Sequence, residues 1–189
     1  SPMSRGLGDV YKRQALQVAV ALVDVEGCRP IRDAVVDIWH ADAGGLYSGF
    51  AGQLGGVDTR GQTFLRGHQV TDAEGRVAFT TIYPGWYPGR AVHIHMKVYL
   101  NSRTLLTSQL YFDDALSDMV YQSAPYVARG RHDTRNAADS IFRSGHGVDL
   151  VLSQVHSAAD YAVGIRIGVA GGGVSLTAVS YTHLTLPTN

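Results

Sequence analysis

The feature that most constrains the fold is an alternation of apolar side chains at period two, repeated in short runs with turn-forming residues between them. Leu16, Val18, Val20 and Leu22 alternate with Gln17, Ala19, Ala21 and Val23. Alternate side chains of an extended chain share a face, so this run reads as a strand buried on at least one side. Ala34–His40 is a second apolar run, closed by the turn-rich segment 41–45. Thr71-Asp72-Ala73-Glu74-Gly75 is a hairpin signal leading into a strand over Arg76–Ile82. Further strands are expected over Val92–Leu100, Thr104–Phe112, Val148–Val155 and Tyr161–Val169. Helical signals are brief. Asp113 or Asp114 can cap a short helix through Tyr121, and Asp133–Arg143 can hold a turn or two before Gly145 and Gly147 end it. The expected fold is all-β: a β-sandwich core of about seven to eight strands with a few short helices and long loops.

The 189 residues suit one domain. Residues 1–14 and 171–189 lack any strand or helix period and read as non-native or disordered tails, leaving a domain over 15–170. The strings GDVYKRQ and VSYTHLTLPT in them resemble translated sequencing-adapter read-through. A native N-terminus lost in this way takes any export signal with it, so the chain fits a cytoplasmic or an exported protein equally. Formal net charge is +0 and the pI about 7.1, which gives no electrostatic reason to expect nucleic acid or an anionic membrane as a partner. Cys28 is the only cysteine, so an intrachain disulfide and a thiolate cluster are both excluded, and a metal site must use oxygen and nitrogen.

His93 and His95 lie on an expected strand, where alternate residues point the same way. Val92, Ile94, Met96 and Val98 then point to the core. Two imidazoles converging from a rigid element can chelate one metal. The remaining ligands must come from elsewhere. A cupin-type site needs a downstream glutamate, and Glu26 and Glu74 are the only glutamates; a two-His-one-carboxylate site could draw on an aspartate. Just upstream, Pro84-Gly85-Trp86-Tyr87-Pro88-Gly89-Arg90 holds a tyrosine in a rigid turn six residues before His93.

Two longer stretches carry a family resemblance. Asp37-Ile38-Trp39-His40-Ala41-Asp42-Ala43-Gly44-Gly45-Leu46-Tyr47-Ser48 resembles the first iron-ligand motif of the intradiol ring-cleavage dioxygenases. Thr81-Ile82-Tyr83-Pro84-Gly85-Trp86-Tyr87-Pro88-Gly89-Arg90-Ala91-Val92-His93-Ile94-His95 resembles their second, and Thr107-Ser108-Gln109-Leu110-Tyr111-Phe112 also matches. The resemblance spans Leu16 to Val169, in the compact form of the small single-domain members. The segment that precedes the first core strand in that family is missing. It implies Fe(3+) held by Tyr47, Tyr87, His93 and His95, with Tyr87 the ligand that lets go when substrate arrives. It also implies catalytic roles for Arg90 and Gln109, and cleavage of a catechol-type small molecule by O2 between its hydroxyls to a muconate-type diacid.

The implied site is chemically consistent. A free tyrosine has a pKa near 10, so two phenolates at neutral pH need a strong local cation. Iron(3+), two tyrosinates and a hydroxide sum to zero. A catechol dianion replacing the hydroxide and one tyrosinate keeps that sum, so binding leaves little uncompensated charge. His40 and His68 are expected in supporting or structural roles, His132, His146 and His156 in solvent, and Trp39 and Trp86 in packing around the pocket. The competing expectations are a non-catalytic β-sandwich binding module that retains the motif, and a cupin-like ferrous or zinc protein.

Overall fold

The computed structural model describes residues 15–154 and 161–170, together with the backbone of 177–178. Both expected tails otherwise lie outside the described residues. Two β-sheets face each other, as the period-two runs imply. The first holds β1 (Ala15–Asp24), β4 (Arg76–Ile82), β7 (Ser153–Gln154), β8 (Tyr161–Val169) and β9 (Thr177–Ala178). β1 pairs antiparallel with β4 on one side and parallel with β8 on the other. The second runs β3 (Arg66–Val70), β2 (Val35–Trp39), β5 (His93–Leu100), β6 (Arg103–Tyr111), with antiparallel neighbours throughout. Val18, Val20 and Leu22 of one sheet share a single core with Val36, Ile94, Met96 and Val98 of the other, all fully buried or nearly so. That is the β-sandwich expected from the sequence, with short helices at its periphery.

The helical signals hold locally. α1 (Asp114–Val120) is capped by Asp113, whose carboxylate accepts from the N–H of Ala115 and Leu116. α2 (Ser140–Ser144) is capped in the same way by Asp139. No helix among the described residues is long and apolar enough to cross a membrane.

Three expectations are corrected. The strand expected over Val148–Val155 is instead a 3-10 turn, Gly147–Leu150, followed by the two-residue β7. Leu150 and Leu152 are buried but Val148 is 72% exposed, so the apolar run anchors a turn to the core at two points rather than forming a ladder. The Asp72–Gly75 turn forms, with the Gly75 N–H donating to the Asp72 carbonyl, yet it joins strands of different sheets. β3 was not anticipated, because all five of its residues are exposed and it carries no burial signal.

β5 shows how the fold positions polar groups. Ile94, Met96 and Val98 are 0% exposed in the core, while His93 and His95 take the opposite face. Ile94→Ala should lower stability by about 2–5 kcal/mol, read as a fall in the urea midpoint.

Candidate metal centre and its supports

Four side-chain atoms converge above the second sheet. The Nε2 of His93 lies 3.3 Å from the Tyr47 hydroxyl, 3.1 Å from that of Tyr87 and 3.2 Å from the Nε2 of His95. The Nδ1 of His93 is 2.7 Å from the Ala91 carbonyl. A carbonyl only accepts, so Nδ1 carries the proton and the Nε2 lone pair faces the cluster. Burial, with smaller contributions from neighbouring charge, pushes the His93 imidazole down to about 3. It pushes His95 down to about 4, assisted by the Arg90 and Arg66 charges. Both rings are neutral at pH 7, as metal ligands must be. Burial raises both phenols, Tyr47 most. Without a cation they remain protonated and donate towards imidazole nitrogen. Two neutral imidazoles and two phenols awaiting a charge that can displace their protons form a donor set suited to a hard, highly charged cation. No group of three or more His, Cys, Asp or Glu side chains arranged for a metal occurs among the described residues.

The register explains the remaining neighbours. Trp39 pairs with His95 across β2–β5, and its ring stacks on the imidazole at 4.9 Å and 2°. Gln109 pairs with His95, and Tyr111 with His93, across β5–β6. Arg90 and Gln109, named from sequence, do meet: the guanidinium donates to the Gln109 amide oxygen, which also accepts from the Tyr111 hydroxyl at 2.9 Å. Nη1 of Arg90 lies 3.5 Å from the Tyr87 hydroxyl.

The tyrosines come from two loops, and glycine lets those loops touch. The Asp42 carbonyl accepts from the N–H of both Gly45 and Gly85, at 2.9 Å each. A Cβ on Gly85 would collide with the carbonyls of Asp42 and Ala43, and one on Gly45 with that of Trp86. The Tyr47 backbone is clamped on its other side. Gln53 accepts from its N–H at 2.6 Å and donates to its carbonyl at 2.8 Å, and Thr59 donates to the same carbonyl. The Tyr87 loop is tied down by three phenol hydroxyls. Tyr121 donates to Pro84 O and Tyr126 to Tyr83 O, while Tyr83 bonds Ser117. Arg129 completes the hold, donating to Trp86 O with its guanidinium over the Trp86 ring at 4.5 Å.

Asp139 was missed from sequence. Its side chain is 0% exposed and accepts four hydrogen bonds, from Arg90 Nε at 2.9 Å and the N–H of Ala91, Ile141 and Phe142. It therefore fixes Arg90, the start of β5 and the start of α2 together. Its position ahead of a short apolar stretch was a capping signal, but nothing local pointed to Arg90, 49 residues away. His40 is structural, as expected: buried, pushed down to about 4 by desolvation, and bonded to the Ala41 carbonyl and the Thr81 hydroxyl. His68 is exposed on β3, as is His146 beyond α2. His132 is not solvated. Its side chain is 1% exposed, held between Asp118, Tyr121 and the Thr134 carbonyl, because the 114–135 segment folds back on itself. His156 lies outside the described residues.

A cavity of about 690 Å³ opens from Tyr47, Tyr87 and His95, walled by Trp39, Phe50, Leu54 and Pro88.

The architecture is a β-sandwich that brings two tyrosines and two histidines together beside an open cavity. Comparison with known proteins gives the family. The family model described as "Dioxygenase" matches residues 9–154. The protocatechuate 3,4-dioxygenase beta chain of Burkholderia cepacia is 37% identical over 146 residues, covering 67% of this chain and 60% of that protein. The solved intradiol ring-cleavage dioxygenase of Tetranychus urticae superposes with a TM-score of 0.78 at 30% identity, covering 86% and 84% of the two chains. The dioxygenase domain of a carbohydrate-binding fusion protein from Streptomyces sp. SirexAA-E gives 0.58 at 28%, covering 84% and 80%. The chain belongs to the intradiol ring-cleavage dioxygenase family. It spans 60% of the length of the Burkholderia cepacia relative.

Two predictions test the supports. Gly85→Ala should cost about 1–3 kcal/mol of stability through overpacking, read as a urea midpoint. For Asp139, burial works to raise the carboxyl, but the Ala91 and Phe142 N–H groups and Arg90 outweigh it and hold the group below the usual carboxylate range. A depressed folded-state pKa adds stability above the unfolded value, near 3.9, and loses it as pH falls through the folded value. Asp139→Asn should therefore be less stable than the parent at pH 7, with the gap closing below about pH 4.

Proposed function

We propose that this protein is a ferric intradiol dioxygenase that opens a catechol-type ring between its two hydroxyls, with O2, to give a muconate-type diacid. The observation that carries this reading is the convergence of the Tyr47 hydroxyl, the Tyr87 hydroxyl and the His95 Nε2 within 3.1–3.3 Å of the His93 Nε2. Family membership supports it. Tyr47, Tyr87, His93 and His95 would hold the iron, which when bound supplies the charge that keeps phenolates ionised and makes a coordinated catecholate reactive to O2.

The chain's own groups do the rest. His93 and His95 stay neutral and fixed, one by its bond to Ala91 O, the other by its stack on Trp39. Tyr87 would accept one catechol proton at its phenolate oxygen, and Arg90 Nη1, 3.5 Å from that oxygen, would be its hydrogen-bond partner. Arg90 is locked by Asp139 and Gln109, so its positive charge is preorganised for negative charge developing on the ring. The walls of the cavity exclude water from one side of the ring.

The iron-loaded protein should be red to burgundy from tyrosinate-to-iron absorption, and a chelator should remove both the colour and oxygen uptake with catechol. A colourless protein that retains zinc overturns the reading. Tyr87→Phe should shift the visible band and lower turnover by about 10²-fold or more. Extradiol semialdehyde products, visible as a yellow solution, would rule out the proposed cleavage.

A further inference from the structure

The cavity beside the four donor atoms is larger and more apolar than a bare catechol needs. Cavities of about 300–1,000 Å³ hold drug-sized ligands, and this one measures about 690 Å³. Its floor is Tyr47, Tyr87 and His95, where the ring hydroxyls would sit. None of the residues lining it is charged. Gln53 lines it too, but its amide is committed to Tyr47, Phe50 and Thr59.

The three nearby arginines are also engaged. Arg66 donates to the Ser48 hydroxyl and carbonyl, at 2.9 Å each, with its guanidinium 6.0 Å and 5.8 Å from the Trp39 and Phe50 rings. Arg90 is paired with Asp139. Arg129 is bonded to the Trp86 carbonyl and stacked on its ring. A carboxylate on the substrate ring would meet no charged group among the lining residues, and Arg66, behind the Trp39 and Phe50 rings, already has two of its nitrogens bonded to Ser48. An apolar substituent would instead cover Phe50 and Leu54, which stand 51% and 39% exposed.

We infer that the preferred substrates are catechols bearing an uncharged apolar or aryl substituent, seated between Trp39, Phe50, Leu54 and Pro88, and that ring-carboxylated catechols are poor substrates. This rests on the intradiol reading above. It makes Phe50 and Leu54 specificity-determining residues on the loop that follows Tyr47.

The test is oxygen uptake by the iron-loaded protein with catechol, 4-tert-butylcatechol, 4-phenylcatechol and 3,4-dihydroxybenzoate. The expected kcat/KM for 4-phenylcatechol exceeds that for 3,4-dihydroxybenzoate by at least about tenfold. Equal values, or the reverse order, overturn the inference while leaving ring cleavage intact. Leu54→Arg should move the ratio at least about tenfold towards the carboxylate, and Phe50→Arg, on the exposed rim, is the second variant should the first misfold. A ratio that neither variant moves overturns the placement of the substituent. Turnover of none of the four would count against the reaction instead. Binding to the metal-free protein, followed by quenching of tryptophan fluorescence, then decides the inference by itself: tighter binding of 4-phenylcatechol supports it, and equal or weaker affinity overturns it.

Discussion

The site depends on one strand serving two faces. In β5 the side chains at 94, 96 and 98 fill the core with no exposure, and this fixes the register of the whole second sheet. His93 and His95 inherit that rigidity on the other face. A slip of one residue would send the imidazoles into the core and Ile94 into the site, at the cost of burying two polar rings without partners. Stability and ligand placement are thus a single constraint here. The same register brings Trp39 from β2 and Gln109 and Tyr111 from β6 into line with the histidines.

The tyrosines obey a different rule. They sit on irregular backbone, and what places them is satisfaction of that backbone's polar groups. A single carbonyl, that of Asp42, accepts from both loops, and Gln53 and Thr59 clamp one of them. Three buried phenol hydroxyls hold the other or its neighbours. The loops are therefore held by their own hydrogen bonds. Burial holds both imidazoles neutral and both phenols protonated. Arg90 adds positive charge nearby, and Asp139, buried opposite it, keeps that charge compensated in a site of low polarity.

Much of this was legible in the chain. Strands with a buried face announced themselves by period two, and Asp113 announced α1. Tyr87, His93 and His95 lie within nine residues, whereas Tyr47, 40 residues upstream of Tyr87, is named by the resemblance of residues 37–48 to a family motif. What failed was whatever depends on distant partners. β3 exposes all five residues and so writes no pattern. Residues 148–154 have the apolar content of a strand but form a 3-10 turn and a two-residue pairing, and Val155 lies outside the described residues. His132 carries no local sign that Asp118 and Tyr121 will enclose it.

The sequence by itself determined the sandwich and the face on which the histidines stand, because each is encoded by neighbours a few residues apart, and a family resemblance named the four candidate donors. Only the tertiary structure decided that Asp139 locks Arg90, that Gly45 and Gly85 bring the two tyrosine loops into backbone contact, and that the cavity beyond them is wide and uncharged. Those features join segments up to 49 residues apart. Hydrogen-bond satisfaction and steric fit between such segments exist only once the two sheets have packed, and no local periodicity records them.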